Sequence, residues 1–165
     1  VWAGEYVVAD VADDYRIIHQ DRQRNAVVTE AAPQGQTAKN WQELYKILSV
    51  RKRGNVTLNT ALRPYRTKTT DDCAQQRFTL LSRGESNGFP TATFLYGCAK
   101  TTNPDLPEEW GVGKAHLGDV DVHYTLKAWR KQPTQRDVDA WIDRLEVTYV
   151  CRGTAEDTET CPPLP

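Results

Sequence analysis

Between Val120 and Trp129 apolar and polar side chains alternate without a break. Val120, Val122, Tyr124, Leu126 and Ala128 take one side; Asp121, His123, Thr125 and Lys127 take the other. A period of two predicts a strand with one face on a core and the other in water. Trp129 falls in the polar set. Shorter β-branched runs at Glu5–Ala9, Tyr15–His19 and Ala26–Glu30 are separated by charged or Asn-bearing turns, the spacing of a meander. Another strand is expected over Gln42–Arg51, where Leu44, Ile47, Leu48 and Val50 compete with a helical face of Trp41, Leu44, Tyr45 and Leu48. Arg77–Ser82 and Pro90–Cys98 flank the segment Gly84-Glu85-Ser86-Asn87-Gly88, whose Asn-Gly pair signals a hairpin.

Two segments switch to helical spacing. Thr57 is placed to cap a helix that carries Leu58, Ala61, Leu62 and Tyr65, with Pro64 keeping it short or kinked. Thr134 and Asp137 form a capping box ahead of the stripe Val138, Trp141, Ile142, Leu145 and Tyr149. Strands come in runs and helices are few. The predicted class is α+β: a largely antiparallel sheet with two main helices packed on one face, stapled by disulfides. Residues 1–150 are expected to form one domain and 151–165 a tail pinned by a disulfide.

Composition narrows the function classes. A chain of 165 residues can build a core of its own. A net charge of −1 with 26% charged residues provides no broad field for nucleic acid or an anionic membrane. The ridge Arg51-Lys52-Arg53 with Arg63, Arg66 and Lys68 lacks interleaved aromatics, so it suits an acidic protein partner better than a nucleic acid. No apolar run reaches the roughly 18 to 20 residues that span a bilayer.

The chain has four cysteines and no methionine. Residue 1 is therefore expected to begin a processed form whose targeting segment, with or without a lipid anchor, has been removed. Cys73, Cys98, Cys151 and Cys161 lack the close C-x2-C pairs of zinc sites, and an even count fits two disulfides formed outside the cytoplasm. Of the three pairings that four cysteines allow, Cys73–Cys98 and Cys151–Cys161 are favoured. The first would tie a helix end to a strand and the second would hold the tail.

Three constellations could carry chemistry. Gly84-Glu85-Ser86-Asn87-Gly88 matches the nucleophile elbow G-x-S-x-G, with His116 and His123 downstream. A strand, not a helix, is expected to follow it, so a hairpin tip accounts for the same residues. Asp119, Asp121 and His123 alternate along one strand face about 7 Å apart, too far to grip one ion without distortion. Trp110 beside Glu108 and Glu109 lies in a Pro- and Gly-rich stretch, and tryptophan of that kind is enriched at binding hot spots. No catalytic residue, metal or cofactor is expected. The candidate partner-binding residues are Glu108, Glu109, Trp110, Asp119, Asp121 and His123.

Asn40-Trp41-Gln42-Glu43-Leu44, Leu95-Tyr96-Gly97-Cys98, and Trp141 followed by Val150-Cys151-Arg152 and Cys161-Pro162 resemble a family of proteobacterial envelope proteins, exported or lipid-anchored. That broad class includes periplasmic immunity proteins, which neutralise antibacterial effectors such as the phospholipases of type VI secretion. The resemblance implies a periplasmic, non-enzymatic inhibitor whose partner is a secreted toxin. The alternatives are an envelope serine hydrolase using Ser86, and a structural envelope lipoprotein.

Overall fold

The computed structural model describes residues 4–67, 72–153 and 161. Chain order is β1 (Glu5–Val8), β2 (Tyr15–Arg22), β3 (Ala26–Pro33), β4 (Glu43–Arg51), α1 (Leu58–Arg66), β5 (Cys73–Ser86), β6 (Phe89–Thr101), β7 (Glu109–Leu117), β8 (Asp121–Trp129), α2 (Gln135–Glu146) and β9 (Tyr149–Arg152). Seven strands make one antiparallel sheet in the order β2-β3-β4-β8-β7-β6-β5. It is two meanders, β2 to β4 and β5 to β8, joined where β4 pairs with β8. The class is α+β, as expected.

The two helices do not share a face. α1 packs its Leu58, Ala61 and Leu62 with Phe94, Ala115, Tyr124 and Leu126. α2 packs Leu145, with Val138, Trp141 and Ile142, against Tyr45, Val112 and Trp129. Neighbouring positions of β7 and β8 belong to opposite clusters, so each helix covers its own side of the sheet. All nine residues of β8 are buried as a result, and the side expected to be wet lies beneath α2.

Both helix starts follow their sequence signals. Thr57 accepts a hydrogen bond from the Thr60 N–H at 3.2 Å. Thr134 accepts from the Asp137 N–H at 3.1 Å, and Asp137 accepts from the Thr134 N–H at 3.1 Å, which closes the capping box. Pro64 sits within α1, which ends two residues later. Tyr149, expected on the α2 stripe, instead opens β9 and is buried there.

The first and last strands meet. β1 pairs with β9 as a separate two-stranded ribbon, not with β2 as a meander would require. The expected boundary at residue 150 falls inside β9. Most of the 151–165 tail lies outside the described residues, as does Lys68 of the basic ridge. Both favoured disulfides form, each with Cα atoms 5.9 Å apart. Cys73 opens β5, so its bond to Cys98 staples two strands, not a helix to a strand. No helix among the described residues is long and apolar enough to cross a membrane.

β7 has no counterpart in the hydrophobic pattern because glycines interrupt it. A Cβ on Gly111 would run into the Tyr96 ring, and one on Gly113 would come within 2.7 Å of both Phe94 and Leu126. These glycines make room for large rings on the next strand. Gly113→Ala is expected to destabilise the fold by about 1–3 kcal/mol, because fully buried Phe94 has nowhere to move. Urea unfolding checks this; an unchanged midpoint would refute it.

Candidate functional site

The β5–β6 turn settles the geometry around Ser86. Ser86 pairs with Phe89 across a two-residue loop, with Asn87 and Gly88 at φ 51° and 81°. Positive φ at both central positions is the type I′ hairpin turn that Asn-Gly favours. Strand leads into strand here, so Ser86 does not stand on a strand-to-helix elbow. Its hydroxyl donates to the Thr148 carbonyl at 3.4 Å, and Asn87 donates to the Val150 carbonyl at 2.7 Å. The tip is thereby fastened to the segment leading into β9.

Beneath α2 and the β1–β9 ribbon runs a row of buried polar side chains from β7 and β8. Glu5 reaches in from β1 and accepts backbone N–H bonds from Asp119, Val120 and Asp121 at 2.8, 3.0 and 2.5 Å. His123 Nε2 lies 3.4 Å from the same carboxylate, and Ser49 contacts His123 Nδ1 at 2.7 Å. Asp121 pairs with Arg51 at 2.9 Å. Burial alone would raise the Glu5 carboxyl, but the His123 contact and three amide donors overcome it and hold Glu5 down at about 2. Burial raises Asp121 despite Arg51 beside it.

Glu5, Asp121 and His123 place potential ligand atoms within 4.8 Å of one another. This is not the expected trio, because Asp119 points outward and pairs with Arg152 at 3.0 Å. Protein donors already engage both carboxylates of the observed trio, so its evident work is to lock β1 to the turn between β7 and β8.

One strand over, Lys114 donates to the carbonyls of Glu146 and Thr148 at 2.7 and 3.1 Å, placing a cation at the C-terminal end of α2. Thr148 donates to the Leu145 carbonyl at 2.6 Å, so its oxygen accepts from His116 Nε2 at 3.1 Å. Burial, with Lys114 and His123 nearby, pushes His116 down to about 3 and keeps it neutral. Further along β8, fully buried Lys127 donates to Tyr15 Oη and, at 2.9 Å, to Glu43. The rings of Trp141, Tyr15 and Trp129 surround its ammonium with centroids at 4.6, 4.8 and 5.2 Å. Burial lowers Lys127 to about 8 against the opposing pull of Glu43.

The remaining predicted residues divide between the two faces. Trp110 is half-buried on the α2 face, where the Arg77 guanidinium lies 4.8 Å from its ring. Arg77 also pairs with Glu108 at 2.8 Å. This cluster borders a groove of about 480 Å³ between β5–β7 and the start of α2, floored by Leu95, Trp129 and Val138. Glu109, one residue earlier, turns to the α1 face. Asp121 and His123 are too deeply buried to touch anything docked on the outer surface. Of six predicted partner-binding residues, Asp121 and His123 come together only in the buried row, and Glu108 and Trp110 are the two that come together at the surface. Arg77, which joins them, had no signal in the sequence beyond its charge.

No family model matches this chain, and no curated protein matches it at a significant level.

Two outcomes test the buried row. Glu5 has a folded value far below its ordinary 4.5, so its stabilisation is present above that value and lost as pH falls toward 2. Glu5→Gln is expected to cost on the order of 3 kcal/mol at pH 7 and to flatten the acid limb of a stability-versus-pH curve. An unchanged acid limb would argue against the lock. Lys127 is lowered from 10.5, so the unfolded chain holds the extra proton and its contribution makes stability rise from pH 8 to 10.5. Side-chain NMR should give a Lys127 midpoint near 8; a midpoint above 10 would refute the dominance of burial over Glu43 and the surrounding rings.

Proposed function

We propose that this is a non-enzymatic binding protein of the periplasm whose partner is another protein. In its most concrete form it is an immunity protein that blocks a secreted antibacterial effector by occlusion. The observation that carries this reading is the Trp110–Arg77–Glu108 cluster at the mouth of the 480 Å³ groove. A half-buried indole stacked by a guanidinium, with a carboxylate to orient it, has the composition of an interface anchor.

The surroundings support it. The Cys73–Cys98 bond joins the two strands that carry one wall, and Trp129 of fully buried β8 forms part of the floor. A wall held in this way loses little conformational freedom on binding, which favours affinity. The immunity role rests on the family resemblance of the tryptophan and cysteine placement, and the periplasmic location on that and the disulfides.

Co-purification from the native cell envelope, followed by titration of the captured partner, tests the reading. Trp110→Ala is expected to weaken the complex by about 2 kcal/mol or more, roughly 30-fold, and Arg77→Ala to act in the same direction. Ser86→Ala should leave binding unchanged. A complex indifferent to Trp110→Ala, or a hydrolytic activity abolished by Ser86→Ala, would overturn it.

A further inference from the structure

On the opposite face, beyond the end of α1, lies a smaller pocket of about 230 Å³. Three aromatic rings line it, from Trp41, Tyr65 and Tyr96, with Leu126 among its aliphatic walls. Tyr65 and Tyr96 meet edge to face with centroids 5.2 Å apart. The acidic group that opens on it is Glu109, set at the start of β7 opposite Cys98.

Glu109 is unusual among the buried or half-buried carboxylates here. Glu5 has backbone donors, Asp121 has Arg51, and Glu43 has Lys127 and Tyr15. The Glu109 carboxylate has no hydrogen bond or ion pair among the described residues. Two cations lie close enough to influence it, and one of them, Lys46, also lines the pocket. Lys46 pairs with Glu30 at 2.6 Å, and the Arg130 guanidinium lies 3.9 Å from the Trp41 ring centroid. Burial accordingly raises Glu109, with Lys46 and Arg130 opposing only in part.

A carboxylate in an aromatic-walled pocket is the chemistry that recognises an organic cation. Ring faces attract positive charge, and the attraction grows where water is excluded. The walls provide few further hydrogen-bond acceptors, which favours a weakly hydrated, alkylated ammonium over a bare ammonium or a metal ion. The volume suits one such headgroup. We propose that Glu109 with Trp41, Tyr65 and Tyr96 forms a binding site for a small alkylammonium of the trimethylammonium type. The site is independent of the groove on the α2 face.

The test is titration of choline and tetramethylammonium into the full chain, followed by tryptophan fluorescence and by NMR of the Trp41 indole. Saturable binding in the millimolar range or tighter is expected, with the uncharged analogue 3,3-dimethylbutanol at least tenfold weaker. Glu109→Gln keeps the volume, removes an unpaired charge and should fold at least as well, yet lose tenfold or more in affinity. Glu85→Gln, an exposed change at the hairpin, should bind as before. Affinity should also fall as pH drops through the raised Glu109 value, because the neutral acid no longer attracts a cation. Equal binding of the uncharged analogue, indifference to Glu109→Gln, or absence of saturation would overturn the proposal.

Discussion

β8 is buried on both faces although four of its nine side chains, Asp121, His123, Thr125 and Lys127, are polar. Much of the α2-side architecture answers that constraint. A buried charge without a partner costs several kcal/mol, so the ionisable groups of β8 under α2 have drawn partners from distant parts of the chain, while the Thr125 hydroxyl has none among the described residues. Asp121 takes Arg51, His123 takes Ser49 and Glu5, and Lys127 takes Glu43 within three aromatic rings. These pairings span from 70 to 118 positions along the sequence, and they specify how β4, β1 and the β2 region sit against the central strand. Hydrophobic packing alone would tolerate more slippage, because a face of Val and Leu has no preferred register beyond shape.

The same demand explains the treatment of the first and last strands. β1 and β9 form only a short ribbon, and four residue pairs would be marginal by themselves. Glu5 ties the ribbon to the β7–β8 turn, Asn87 ties the β5–β6 hairpin to β9, and Cys161 bonds Cys151 within β9. Lys114 connects the end of α2 to the sheet. Remote segments therefore converge on one end of the sheet through polar contacts, while aromatic clusters secure its centre.

What is left over after this internal pairing is informative about binding. Trp110 with Arg77 and Glu108 borders a groove on one face, and Glu109 borders an aromatic pocket on the other. Adjacent residues of one strand necessarily point to opposite sides. The acidic-aromatic run 108–110 thus splits between two sites, although in the sequence it resembles a single patch.

The local elements were largely legible from the chain alone. Alternation in β8, the Asn-Gly hairpin, the Thr57 cap and the Thr134–Asp137 box were read from spacing and residue type, which depend on interactions a few residues long. β7 was not, because Gly111 and Gly113 are small for the sake of Tyr96 and Phe94 on the next strand, a reason no local window contains. Nor could alternation say that the polar side of β8 is covered. The pattern separates two faces but does not reveal whether a helix arriving from residues 135–146 will lie over one of them. Periodicity is a property of the backbone and so resides in the sequence; burial depends on what else packs there, and only the assembled sheet decides it.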